Sequence, residues 1–113
     1  MTRTPEEVFA HHVEALGAGD LEEILTDYTE DAILVLHKQV YRGKDGARAV
    51  FTQLLSDLPS AAWQLDTVFA GDVLYLEWKA TGGGHKADDA IDTFVFADGM
   101  IRVQTVFYTL QPV

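Results

Sequence analysis

The chain has 113 residues, 18 acidic against 8 basic for a formal charge of −10, with 48% hydrophobic residues and no cysteine. That balance excludes disulfides, thiol catalysis and cysteine-ligated zinc, and argues against nucleic acid, whose binding rests on neutralising phosphates. No stretch approaches the roughly 20 apolar residues of a membrane span, and MTRTPEEVFAHH lacks the apolar run of a signal peptide. Residues 1–113 are expected to form one cytoplasmic domain with neither membrane nor nucleic acid as partner.

Thr4, Pro5, Glu6 and Glu7 give a helix start: a cap, a proline at the first position and acidic residues against the dipole. Val8, His12, Ala15 and Leu16 follow on one helical stripe, with Phe9 and Val13 beside it, until Gly17 to Gly19 stop the helix. Asp20 opens a second helix over LEEILTDYT, with Leu21, Ile24, Leu25 and Tyr28 on its apolar side. A strand is predicted over residues 32–37, then a loop KQVYRG, then a third helix from Asp45 to Pro59 with Val50, Phe51, Leu54 and Leu55 inward. The remainder reads as four antiparallel strands. WQLDTVFA and VLYLEWKAT join through Gly71-Asp72, a glycine-rich GGGH loop follows, and DDAIDTFVF joins MIRVQTVFYTL through Asp98-Gly99. Helices gathered ahead of meandering strands predict an α+β fold, with helices packed on one face of a curved sheet.

Asp92 shares a strand face with Phe94 and Phe96, an unusual place for a carboxylate. The opposite face of the sheet is apolar as well: Ile101, Val103 and Phe107 alternate with Val106 and Tyr108, and Ile91, Thr93 and Val95 back the Asp92 face. An apolar patch of that size marks an interface, so a homodimer formed sheet against sheet is expected.

The order of elements resembles the nuclear transport factor 2-like superfamily, a cone of curved antiparallel sheet with N-terminal helices on its concave face around a pocket. EALGAGDLEEILTDYTEDAILV, YRGKDGARAVF and DTFVFADGMI carry the likeness across essentially the whole chain. The superfamily includes isomerases, dehydratases, epoxide hydrolases, SnoaL-like polyketide cyclases and non-catalytic binding domains, so the fold does not by itself give an activity. Against its bacterial ketosteroid isomerases, whose oxyanion hole joins a tyrosine and a protonated aspartate, HVEALGAGD places His12 at the tyrosine and AIDTF places Asp92 at the aspartate. DAILVL places Leu36 where the base stands, so the resemblance does not extend to a standard ketosteroid isomerase.

The resemblance implies that His12 and Asp92 meet in the pocket. Asp92 would orient the imidazole and raise its basicity, leaving His12 as the general acid/base of a cofactor-independent isomerase, cyclase or lyase. The alternatives are a module that binds a small hydrophobic ligand without turnover and a dimerisation domain. Leu16, Leu36, Val50, Leu54, Phe94, Phe96, Val106 and Tyr108 are the expected pocket wall, with Gln104 and Tyr108 able to hold a carbonyl or hydroxyl of the ligand. In VLYLEWKAT either Leu74, Leu76 and Trp78 or Tyr75, Glu77 and Lys79 face inward. The resemblance favours the second set, and Glu77 would then be a second acid/base. His37 is expected to face away from the pocket, with His11 and His85 in solvent. No metal-ligand spacing and no phosphate-binding glycine loop is present, and Ser56 and Ser60, the only serines, flank a helix end.

Overall fold

Helix α1 (Pro5–Gly17) begins on a reciprocal capping box. The Thr4 hydroxyl accepts from the Glu7 amide at 3.2 Å and the Glu7 carboxylate accepts from the Thr4 amide at 2.8 Å. The computed structural model describes residues 2–113. Asp20 caps the short α2 (Leu21–Leu25) through the Glu23 amide. This helix ends earlier than the apolar pattern suggests, because the sheet captures the chain: Ile101 N–H donates to the Asp27 carbonyl at 2.7 Å, and β1 (Tyr28–Leu36) starts one residue later.

The segment expected as a loop is a hairpin, β1 turning into β2 (Gln39–Arg42) through His37 and Lys38, whose φ values are 51° and 65°. Two positive φ values make the mirror-image turn that suits strand twist. His-Lys lacks the Asn-Gly signature by which such a turn is recognised. Helix α3 (Gly43–Asp57) follows, and then β3 (Ala62–Ala70), β4 (Val73–Gly82), β5 (His85–Ala97), β6 (Met100–Phe107) and β7 (Gln111–Pro112). Asp98 and Gly99, at φ 54° and 73°, form the expected turn between β5 and β6.

The seven strands form one curved, unclosed sheet in the order β2-β1-β6-β5-β4-β3, with β7 pairing the start of β5. The pairings of β3 through β6 are antiparallel as expected, while β1 runs parallel to β6. Register shifts between Tyr28 and Ile33, Trp78 and Ala80, and Val95 and Phe96 mark irregularities, and a bulge bends and twists its strand.

Registers give the two faces directly. Leu76, Asp92, Val106 and Leu36 make one inner row, and Leu74, Phe94, Gln104 and Leu34 the next, all buried. Val8, Phe9, Ala15, Ala47, Val50, Phe51 and Leu54 of α1 and α3 belong to the same core. The outer rows are Val68-Tyr75-Thr93-Thr105-Val35 and Val73-Val95-Val103-Ile33, flanked by Glu77-Ile91-Phe107. Val68, Val73, Tyr75, Ile91 and Phe107 stand exposed there. Among the described residues no helix is long and apolar enough to cross a membrane.

Candidate functional site

Asp92 lies on the inner face of β5, only 5% exposed, and both its oxygens are occupied. Trp78 Nε1 donates to Oδ1 at 2.9 Å and Gln104 Nε2 donates to Oδ2 at 2.9 Å. The donors come from opposite sides. Leu76 pairs with Asp92 on β4 and Val106 pairs with it on β6, so Trp78 and Gln104, each two residues away on the same face, reach it diagonally. Behind Gln104, the buried Tyr28 hydroxyl donates to Oε1, which fixes the amide orientation and extends the chain of hydrogen bonds to β1. Burial pushes the Asp92 carboxyl up to about 7, against the lowering effect of the Trp78 and Gln104 bonds. A neutral carboxylic acid and a carboxylate are therefore both accessible near neutral pH.

His12 faces the same cavity from α1. Its ring sits among Phe9, Tyr28, Phe51 and Phe94, with centroid separations of 6.2, 6.0, 5.3 and 5.7 Å. Nδ1 is buried without a hydrogen-bond partner. The expected His12–Asp92 hydrogen bond is absent among the described residues; the Asp92 oxygens accept from Trp78 and Gln104 instead. Nor is the imidazole made more basic: burial pulls it down to about 4, outweighing the attraction of Asp27. Burial thus holds His12 toward the neutral imidazole and Asp92 toward the protonated acid.

The cavity between them has a volume of about 30 Å³ and is lined by Phe9, His12, Val13, Leu16, Phe51, Leu54, Trp63, Leu65, Leu76, Trp78, Asp92, Phe94 and Gln104. Of the expected wall, Leu16, Leu54, Phe94 and Gln104 are in place. Leu36 pairs with Val106 beyond β6, so it belongs to the core, as does Val50. Phe96 stacks on Phe94 toward the β5–β6 turn, 6.0 Å away. Val106 is buried between Asp92 and Leu36 in the same row but does not line the cavity. Tyr108 lies past β6, its hydroxyl donating to Asp57 Oδ2 at 2.6 Å and its ring 5.6 Å from that of Trp78.

The orientation of β4 corrects the comparison that favoured Glu77. Leu74, Leu76 and Trp78 are buried, and Tyr75, Glu77 and Lys79 are exposed, with the Tyr75 hydroxyl donating to Glu77 at 2.7 Å. Trp78 and Trp63 are thus members of the site that sequence reasoning missed or left open. The inward row is wholly apolar while the outward row holds two charges, a difference that pointed to this orientation. His11 is also not free in solvent: Nδ1 bonds the Asp27 carboxylate at 2.8 Å and Nε2 bonds Glu23 at 2.8 Å. His37 lies with its ring 5.0 Å from Tyr108, outside the cavity. A larger, open trough of about 650 Å³ over β3, β4 and β5 carries Asp66, Glu77, Lys79, Asp88 and Asp89 but neither His12 nor Asp92. Among the described residues there is no group of three or more His, Asp or Glu placed to hold a metal ion.

The profile of the SnoaL-like domain family matches residues 9–104, which span α1 through most of β6. The chain belongs to that family. Solved structures agree with the SnoaL-like assignment at the level of fold. SalBIII, an epoxide hydrolase/cyclase-like enzyme in pyran ring formation of the polyether salinomycin, superposes with a TM-score of 0.80 at 18% identity, over 96% of this chain and 95% of that one. A candidate ketosteroid isomerase from Kribbella flavida DSM 17836 gives 0.77 at 16% identity, over 96% and 82%. IdmH, a candidate polyketide cyclase from Streptomyces antibioticus, gives 0.74 at 19% identity, over 92% and 91%. No functionally curated protein matches the sequence.

Proposed function

We propose that this SnoaL-like domain is a cofactor-independent proton-transfer catalyst, an isomerase, cyclase or lyase in class. Its substrate is a small, mostly apolar molecule bearing a carbonyl or hydroxyl. The observation that carries the reading is Asp92, a buried carboxyl raised to about 7 with no cation against it among the described residues, at the wall of a largely apolar cavity. As an acid it donates to a substrate oxygen, and as a carboxylate it removes a proton, the match of pKa to working pH that general acid–base catalysis requires. His12 contributes a neutral imidazole, able to hydrogen-bond a substrate oxygen without bringing a charge. The chemistry is of the kind named for SalBIII and IdmH, which share the fold. The outer face of the sheet, with Val68, Tyr75, Ile91 and Phe107 exposed, is assigned to a second copy of the chain.

Solvent deuterium exchange α to the carbonyl of a panel of small cyclic ketones, followed by NMR, tests the catalytic reading on the proton-transfer step alone. The wild type is expected to accelerate exchange with an apparent pKa near 7, and Asp92→Asn to lower the rate by about 10²–10⁴-fold with ketone affinity retained. Binding without acceleration identifies a ligand-binding module instead. Unchanged exchange in Asp92→Asn removes the assignment of Asp92.

A further inference from the structure

The hydrogen bonds around Asp92 have a direction. Trp78 Nε1 can only donate, and it meets Oδ1 at 2.9 Å. The Gln104 amide could turn either end to Asp92, a donor at Nε2 or an acceptor at Oε1, and it presents Nε2 to Oδ2 at 2.9 Å. Both carboxyl oxygens therefore face donors, and among the described residues Asp92 makes no hydrogen bond to an acceptor. When Asp92 is protonated, its hydrogen has no taker in the protein. It is left for whatever occupies the cavity that Asp92 lines.

Tyr28 holds the amide that way round. Its hydroxyl donates to Gln104 Oε1, and both side chains are buried. Burial, with Asp92 and Asp27 nearby, keeps the phenol well above its ordinary range, so the hydroxyl retains its hydrogen. A half-turn of the amide would set Nε2 against the Tyr28 oxygen and take away the one acceptor that hydrogen has among the described residues. A buried donor without a partner is costly. Tyr28 does not itself line the cavity, so it reaches a ligand only through Gln104 and Asp92. The other titratable groups near this chain of bonds are His12 on α1, Asp27 ahead of β1 and Tyr108 past β6. None of them is hydrogen-bonded to Asp92 or Gln104 among the described residues. Helix α3 and β3 face the cavity with Phe51, Leu54, Trp63 and Leu65, which do not ionise.

We propose that Tyr28 is a positioning residue: its hydroxyl holds the Gln104 amide with the donor end toward Asp92, so that the acid proton of Asp92 is kept from the protein and presented to the ligand. This role rests on the reading of Asp92 as the group that meets the ligand, and it makes a core tyrosine on β1 a determinant of the chemistry done on β5. Without the Tyr28 hydroxyl the restraint on the half-turn is gone. The amide then turns as Asp92 takes up a proton, and Oε1 accepts the hydrogen bond of the acid. Asp92 is stabilised in its protonated form, with its proton tied up inside the protein.

Carbon-detected NMR of the Asp92 carboxyl, assigned by its loss in Asp92→Asn, follows the titration without any ligand. The midpoint, about 7 in the wild type, is expected to rise by about one pH unit in Tyr28→Phe, the worth of one hydrogen bond to the acid form. In a Gln104→Leu background the same substitution should move it by less than about 0.3 unit, because no amide is left to turn. Nuclear Overhauser contacts report the amide directly. In the wild type the Gln104 Nε2 hydrogens should stay beside the Asp92 methylene from pH 5 to pH 9. In Tyr28→Phe they should transfer to the ring at position 28 as Asp92 takes up its proton. An unmoved midpoint in Tyr28→Phe, or an equal rise in both backgrounds, overturns the role given to Tyr28. So does an amide that turns in the wild type on acidification, a result that needs no variant to fold. Ketone exchange separates the two readings. If the midpoints move as expected and the wild type exchanges nothing, Tyr28 still holds the amide and the catalytic reading falls. Exchange that depends on Asp92 but keeps its pH profile in Tyr28→Phe removes the positioning role alone.

Discussion

Asp92 and His12 are opposite cases of one physical effect, burial acting on an acid and on a base. Folding holds a proton on Asp92, whose carboxyl titrates at about 7 in the fold and near 3.9 in an unfolded chain. Its contribution to stability is full below about pH 4 and is lost as pH rises through 7. His12 is held neutral, with a folded value of about 4 against 6.5 unfolded, so its contribution is full above 6.5 and lost as pH falls through 4. The two slopes oppose each other across the same window, Asp92 contributing about 4 kcal/mol and His12 about 3 kcal/mol. Urea unfolding of Asp92→Asn against wild type should show the variant gaining relative stability as pH rises from 4 to 8, and His12→Gln against wild type should show the variant gaining relative stability as pH falls from 6.5 to 4. Differences that do not vary with pH would refute both assignments. That these two residues share one cavity was legible from strand alternation and helical spacing together with the family likeness. That they do not bond was not, because Trp78 and Gln104 win the carboxylate through cross-strand diagonals that depend on register.

The elements are tied together by a second buried carboxylate. Asp27, at the junction of α2 and β1, is fully buried and accepts from Arg3 Nη1 at 2.9 Å and His11 Nδ1 at 2.8 Å. Arg3 also donates to the Gly99 carbonyl at 2.9 Å, so the N-terminal segment, α1, the start of β1 and the β5–β6 turn converge on one group. The Asp27 bond raises His11, a contribution present below 6.5 and lost as pH rises through the elevated folded value. Asp27→Ala is expected to cost about 2–3 kcal/mol of unfolding free energy, and to cost more at pH 5.5 than at pH 9. An equal cost at both values would show that His11 bears no charge there. Nothing in the sequence around Asp27 distinguishes it from the surface acids, since its partners are 24 and 16 residues away along the chain. The helices, the β3–β6 meander and the Asp-Gly turn were readable from periodicity and turn chemistry. The β1–β2 hairpin was hidden by a His-Lys turn, and the family likeness pointed to the wrong face of β4, which its registered neighbours correct.

Across the whole molecule, the curved sheet divides apolar surface between an inner face covered by helices and an outer face left open. A second copy on that outer face must bring together two chains of charge −10, so the dimer should tighten as salt screens their repulsion. Sedimentation equilibrium is expected to find a dimer in the wild type and a folded monomer in Phe107→Glu, whose side chain is 53% exposed. A monomeric wild type at micromolar concentration and physiological salt would dispose of the assignment. The same sheet has a consequence for how the chain comes to exist. Its first strand is bonded in parallel to its sixth, Leu36 beside Val106, so one pairing inside the sheet joins segments made far apart in time. Non-local pairings are slow to form because loop-closure entropy must be overcome before they contribute. During synthesis the inner edge of β1 waits without its in-sheet partner until β6 emerges. The Asp92 cavity, walled by α1, α3 and strands on both sides of β5, is completed only once Gln104 on β6 has joined the sheet.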